Sequence, residues 1–228
     1  MRAIHHAIAR DNAREIVELL LDHGADLRLL EHGQSAVARA ARRGRGDVLD
    51  SFERRGIPIE LDGVERLIAA CARNDRAGIR AILEREPGLV REVVTDGRKL
   101  LAEFAGTANT EGVGHLLDLG VDVRALYAGD GYLDIAKDST ALHVAAWRAW
   151  HETVRLLVER GAPLDLPDGK GRTPLALAVK ACVDSYWAYR RSPESVRTLL
   201  NAGASAAGIP HPCGYAEVDE LLGSASCP

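Results

Sequence analysis

Aromatic residues are scarce: two Phe, five Tyr and three Trp make up 4% of 228 residues. A β-sandwich or barrel of this size fills its inner faces with Val, Ile, Tyr and Phe, so the shortage argues against one. The 46% hydrophobic content, heavy in Ala and Leu, suits helices packed through small side chains. Cysteine is sparse too. Cys71, Cys182, Cys213 and Cys227 include no C-x-x-C pair, which removes the usual support for a zinc site. Cys71 and Cys182 sit in apolar runs and read as buried thiols, while a Cys213–Cys227 disulfide is open but not required. No run reaches the ~18 consecutive apolar residues of a membrane helix. The opening MRAIHHAIARDNAREIV reads as an amphipathic helix rather than a signal peptide, so a reducing cytoplasm is the expected setting. Excess charge is lacking as well. A net charge of −4 gives no global electrostatic case for nucleic acid or an anionic membrane.

What is present is a period. Thr140-Ala141-Leu142-His143 opens a unit that Thr173-Pro174-Leu175-Ala176 reopens 33 residues later. Between them lie two short apolar-periodic segments, Gly161 and the turn Pro167-Asp168-Gly169. Carried back, the pattern finds weaker copies from Ala3, Ser35, near Glu65 and near Lys99. In the first, Glu15–Leu20 mirrors Glu152–Leu157, which puts His6 where His143 falls. Apolar residues at i, i+3 and i+4, as in Val154, Leu157 and Val158, put one stripe on a helix too short to stand alone. Gly24, Gly56, Gly120, Gly161 and Gly203 each follow such a stripe, where a left-handed residue ends a helix at least cost. Thr140 and Thr173 can cap their helices, and Pro174 suits a first helical position.

A turn followed by two short helices, with this opening and period, resembles the ankyrin repeat of bacterial-type proteins. The resemblance implies an all-α solenoid of stacked helix-turn-helix units: one domain over residues 1–228, six units, and a helical cap over 208–228. Array ends need such a cap, and Val218, Leu221 and Leu222 could supply its apolar face. The resemblance also implies that His6 and His143 hydrogen-bond neighbouring backbone. Ala38, Ile68, Ala102 and Ala176 stand at that position in the other units.

Two places break the period. The loop over 124–139 is about eight residues longer than its counterparts. In the sixth unit the first helix reads as lengthened by roughly two turns through Val179, Cys182, Tyr186 and Tyr189. All three tryptophans fall beside these insertions. Trp147 and Trp150, three residues apart at the end of a first helix, would share a face. The lengthened helix would bring Tyr186, Trp187 and Tyr189 near them and near His151. Such rings anchor binding patches, or else fill the core between repeats. The long loop adds Tyr127, Asp130, Tyr132 and Asp134 as a finger beside the groove; alternatively it is a solvated insertion. It lacks EF-hand ligand spacing.

The eight histidines form no H-E-x-x-H, and neither G-x-S-x-G nor a phosphate loop appears. Nothing asks for a catalytic residue, a metal or a cofactor. Arg39, Arg42, Arg43, Arg45, Arg54 and Arg55 cluster in the second unit, interleaved with Asp47, Asp50 and Glu53; nucleic acid there is a distant third reading. The expected function is capture of another protein through the concave face and the aromatic patch of the last two units. The alternative is a small-molecule pocket or enzyme between the lengthened helix, Trp150 and the 124–139 loop.

Overall fold

The computed structural model describes residues 3–186 and 188–225. Among these the chain forms α-helices, two short 3-10 turns and isolated bridges, with no named strand. It divides into two compact units, Met1–Val121 and Asp122–Pro228.

The first unit holds four helix pairs: α1 (Ala3–Ala9) with α2 (Arg14–Asp22), α3 (Ala36–Arg42) with α4 (Gly46–Arg54), α5 (Gly63–Ala72) with α6 (Arg76–Arg85), and α7 (Leu89–Gly106) with α8 (Thr110–Asp118). The inner helices stack α1 on α3, α3 on α5 and α5 on α7, and α2 packs on α4. Helices of seven to ten residues are marginal alone; here Ile8, Ala40, Phe52, Leu67 and Phe104 are sealed between pairs. Asn109 ties three inter-helix loops together. Its Nδ2 donates to the Gly44 and Ala72 carbonyls at 2.7 Å each, and its Oδ1 caps α8 through Gly112 N–H.

The second unit holds α9 (Ala141–Trp147) with α10 (His151–Glu159), α11 (Pro174–Val183) with α12 (Glu194–Asn201), and a closing helix α13 (Ala216–Ala225). α9 packs on α11, α10 on α12, and α13 on α12, with Val218 and Leu222 buried. Ser35, Thr140 and Thr173 each accept an N–H from the third residue of their helix, as capping chemistry requires. The five helix-ending glycines all have positive φ. The Cys71 and Cys182 thiols are buried, and burial pushes them up to about 12 and about 11.

Three expectations need correction. α7 begins at Leu89, ten residues before the start read near Lys99. Pro87-Gly88 turns the chain quickly after α6, and buried Leu89 and Val93 extend the apolar stripe backwards. α11 stops at Val183, so the sixth unit's first helix is not lengthened by two turns; a separate 3-10 turn over Ala188–Arg190 follows. Third, the framework histidine of the first pair is His5, not His6. His5 Nε2 meets the Gln34 carbonyl at 3.1 Å, as His143 Nε2 meets that of Arg172 at 3.2 Å. The α1–α2 loop holds four residues where α9–α10 holds three. Aligning the second helices therefore slips the first by one.

The six arginines of the basic run over α3, α4 and their flanks are paired. Arg39 faces Glu31, Arg42 faces Glu65 and Asp96, and Arg43 faces Asp11 and Glu103. Arg45 meets Asp47, Arg54 meets Glu18 and Arg55 meets Asp22.

Candidate functional site

The long loop is a tied hairpin. Tyr127, half-buried, donates its N–H to the Ser139 carbonyl at 2.7 Å, and Asp130 and Ile135 exchange backbone bonds of 2.9 and 3.0 Å. The Asp130 carboxylate accepts from the N–H groups of Tyr132 and Leu133, closing the tip into a 3-10 turn. Gly129, at φ +92°, lets the two arms of the loop close; a Cβ there would lie 2.7 Å from the backbone of residues 135–137. Leu133, Ile135 and Ala136 face inward, while Tyr132 is 66% exposed. The loop therefore presents its tip in a fixed shape instead of as a pliable finger.

Asp134 and Trp147 hold that shape from within the fold. Asp134 Oδ1 accepts from Lys170 Nζ at 2.5 Å, and its Oδ2 meets Lys180 Nζ and Arg172 Nη1 at 3.2 Å each. The Lys170 hydrogen bond, helped by one from Lys180 and by the charges of Arg172 and Lys180, lowers the carboxyl to about 2 against partial burial. Trp147 is 3% exposed; its Nε1–H donates to the Leu133 carbonyl at 2.7 Å. Lys180 Nζ sits 4.9 Å from its ring centre, within cation–π range. Of the two readings of Trp147, the structure selects the core one.

Trp150 lies elsewhere. α9 ends at Trp147, Ala149 takes a left-handed φ of 56°, and Trp150 precedes α10. The two indoles thus share no helix face. Over the half-buried Trp150 ring sits the Arg190 guanidinium, 3.7 Å from the ring centre and 4.7 Å from that of Tyr189. Arg190 also donates to the Arg148 carbonyl at 3.0 Å and to the Tyr189 hydroxyl. His151 braces the same segment. Its Nε2 points at the Arg190 carbonyl at 3.4 Å, so its Nδ1 accepts from the Ser195 hydroxyl at 2.7 Å. Ser195 is 2% exposed, so this pair is a strut and no displayed nucleophile. Tyr186 and Tyr189 are 87% and 77% exposed. Trp187 lies outside the described residues.

Trp150, His151 and Tyr189 therefore meet around Arg190, with Tyr186 exposed just upstream in the chain, and Asp130, Tyr132 and Asp134 belong to the hairpin. Arg190 escaped the reading of the sequence. The signal was the run Tyr189-Arg190-Arg191 directly after the aromatic residues, a composition that favours a cation over a ring. Among the described residues no group of His, Cys, Asp or Glu could hold a metal ion, and no helix is long and apolar enough to cross a membrane.

The chain matches family models for "Ankyrin repeats (3 copies)" over residues 105–207 and "Ankyrin repeat" over residues 2–31. It is 29% identical over 210 residues to the ankyrin repeat domain-containing protein SAT10 of Stachybotrys chartarum, spanning 86% of this chain but 9% of that protein. It is 38% identical over 93 residues to serine/threonine-protein kinase 12 of Arabidopsis thaliana, spanning 39% of this chain and 18% of the kinase. The chain thus spans less than a fifth of the length of either curated relative. The crystal structure of the human ASB11 ankyrin repeat domain superposes with a TM-score of 0.50 at 17% identity, covering 99% of this chain and 98% of that one. That likeness concerns the fold. Both family models and the stacked helix pairs agree: the chain belongs to the ankyrin-repeat family.

Proposed function

We propose that this chain is a protein-interaction module, and that its partner docks on the face built by Trp150, Tyr186, Tyr189 and Arg190. Ankyrin repeats in general mediate contacts between proteins. The carrying observation is Arg190, stacked on Trp150 and Tyr189 and bonded to backbone, beside two tyrosines that stand mostly in solvent. Trp, Tyr and Arg dominate interface energetics because large rings and a planar cation bury much area with few rotors. Prior ordering of Arg190 by the ring and the Arg148 carbonyl lowers the entropy lost on binding. The exposure of Tyr186 and Tyr189 suits a broad partner better than a small ligand, which a closed pocket would surround. The hairpin tip at Tyr132 offers a further ring in the same unit.

The test is affinity capture with the native chain and with a Tyr186→Ala/Tyr189→Ala variant, followed by anisotropy titration of the retained protein. Both side chains are exposed, so the variant should keep its circular dichroism and melting temperature. Its affinity should fall by at least about tenfold, the effect of losing one or two anchors. Equal affinity of both chains for the captured protein would remove this face from the function.

A further inference from the structure

The first unit contains a second candidate surface, on the outer helices. Ile79 is the fourth residue of α6. The fourth residues of α2, α4, α8 and α10 are Val17, Leu49, Val113 and Val154, each no more than 1% exposed. Helix α6 alone among these buries nothing: Ile79, Ile82 and Leu83 are only half-covered. The stripe that closes the other outer helices against their neighbours here borders a groove of about 650 Å³ between α6 and α8, floored by Ile79, Leu83 and Leu119.

The rim of that groove carries a charge pattern. Arg76, Arg80 and Glu84 follow one another at one-turn spacing along α6 and line it. Among the described residues none of the three makes an ion pair or a side-chain hydrogen bond, whereas nearby Arg66 pairs with Glu86 and Arg73 with Asp50 and Glu53. Asp118 and His115 border the α8 side, and His115 is already bonded to Asn74 at 2.7 Å. The groove therefore offers two unspent cations, then an anion, over about 12 Å of helix beside a short apolar floor.

We propose that this groove binds an amphipathic helix of a partner protein that sets two acidic side chains one turn apart against Arg76 and Arg80. A basic side chain one turn further meets Glu84, and apolar residues on the adjoining stripe cover Ile79 and Leu83. A helix laid in a groove reads its host through such anchors at i, i+3, i+4 and i+7. The charges select the partner and its direction, and the floor supplies the area.

The probe is a fluorescent, hydrocarbon-stapled Ala-based helix carrying a Leu pair at i, i+4 and the stripe Glu, Glu, Lys at i, i+4, i+8. The control peptide carries Lys, Lys, Glu in its place. Titrated against the full chain, the first peptide should bind at least about tenfold more tightly than the second, the discrimination expected of like-charge juxtaposition. An Arg76→Glu/Arg80→Glu/Glu84→Lys variant should reverse the order, and Ile79→Ser should weaken both peptides. Should the triple variant melt early, Arg80→Glu alone must still narrow the gap between the peptides. Equal binding of both peptides, or an order untouched by the charge variants, overturns the proposal. So does concentration-dependent dimerisation of the native chain that the triple variant loses, because a second copy would then be the occupant.

Discussion

His5 Nε2 lies 3.1 Å from the carbonyl oxygen of Gln34, the residue before the serine that caps the next inner helix. His143 repeats the relationship with Arg172, the residue before Thr173, across the same interval of 29 residues. His143 Nδ1 accepts the Thr140 N–H at 3.0 Å, so the proton rests on Nε2 and points at the carbonyl. Each imidazole holds two successive turns in register. Replacing His5 by Ala removes one of two donors to the Gln34 carbonyl, which keeps the Glu31 N–H at 2.9 Å, and should cost about 0.5–1.5 kcal/mol. His6→Ala, one position off this line, should cost less. Urea unfolding of the two variants checks the order, and a larger loss for His6 would restore the register read from the sequence.

A pH dependence follows for His143. Burial lowers its pKa below the ordinary 6.5. Below pH 6.5 the unfolded chain takes up a proton there that the folded chain refuses. The contribution is therefore constant above pH 6.5 and is lost as pH falls toward the folded value, by at most ~1.4 kcal/mol per pH unit. The stability difference between native protein and a His143→Asn variant should shrink on acidification from pH 7.5 to 5.5. A difference independent of pH over that range would contradict the burial of a neutral ring.

Much of this fold is written locally, and the local parts are the ones the sequence reveals. Val154 and Leu157 mark a buried stripe, Gly161 its end, and Thr140 and Thr173 their caps, each readable within a few residues. The one-residue slip at His5 arose because a loop can lengthen without disturbing the periodicity on either side. Tyr186 and Tyr189 fit a helical spacing yet stand in solvent, since period alone does not say which way a segment turns after Val183. The candidate site was less legible still. The cations around Asp134 come from 36, 38 and 46 residues away, and only the folded chain brings them to one carboxylate.

Glu103 is the residue whose removal should help. It lies 3.6 Å from Arg43, which already holds Asp11 at 2.5 Å. Burial, with Asp11 adding repulsion, raises the Glu103 pKa above 4.5 against the pull of Arg43 and Lys99. A raised carboxyl favours folding while protonated and withdraws that support as pH climbs through its folded value. Glu103→Gln keeps the shape without the charge and should stabilise the chain at pH 7 by about 1 kcal/mol. The gain should fade as pH drops toward 4.5. Chemical unfolding at pH 7 and pH 5 distinguishes this from a productive salt bridge, whose loss would destabilise at pH 7.

The hairpin over 124–139 hangs from two adjacent residues, Leu133 through its carbonyl to Trp147 and Asp134 through its carboxylate to Lys170, Arg172 and Lys180. Trp147→Phe removes one donor and leaves a buried carbonyl unmet, at a cost of about 1–3 kcal/mol. The loss should be local first: the amides of Asp130 and Ile135, which close the bridge, should exchange hydrogen faster while those of α12 are less affected. Asp134→Ala releases the other tie. The cations it frees are more exposed than the indole, so its own cost should be smaller. Because both ties restrain the same three-residue turn, the double variant should lose less than the sum of the single losses, a coupling of at least about 0.5 kcal/mol. Strict additivity would mean that the hairpin is held elsewhere, and that Tyr132 at its tip is not fixed by this pair.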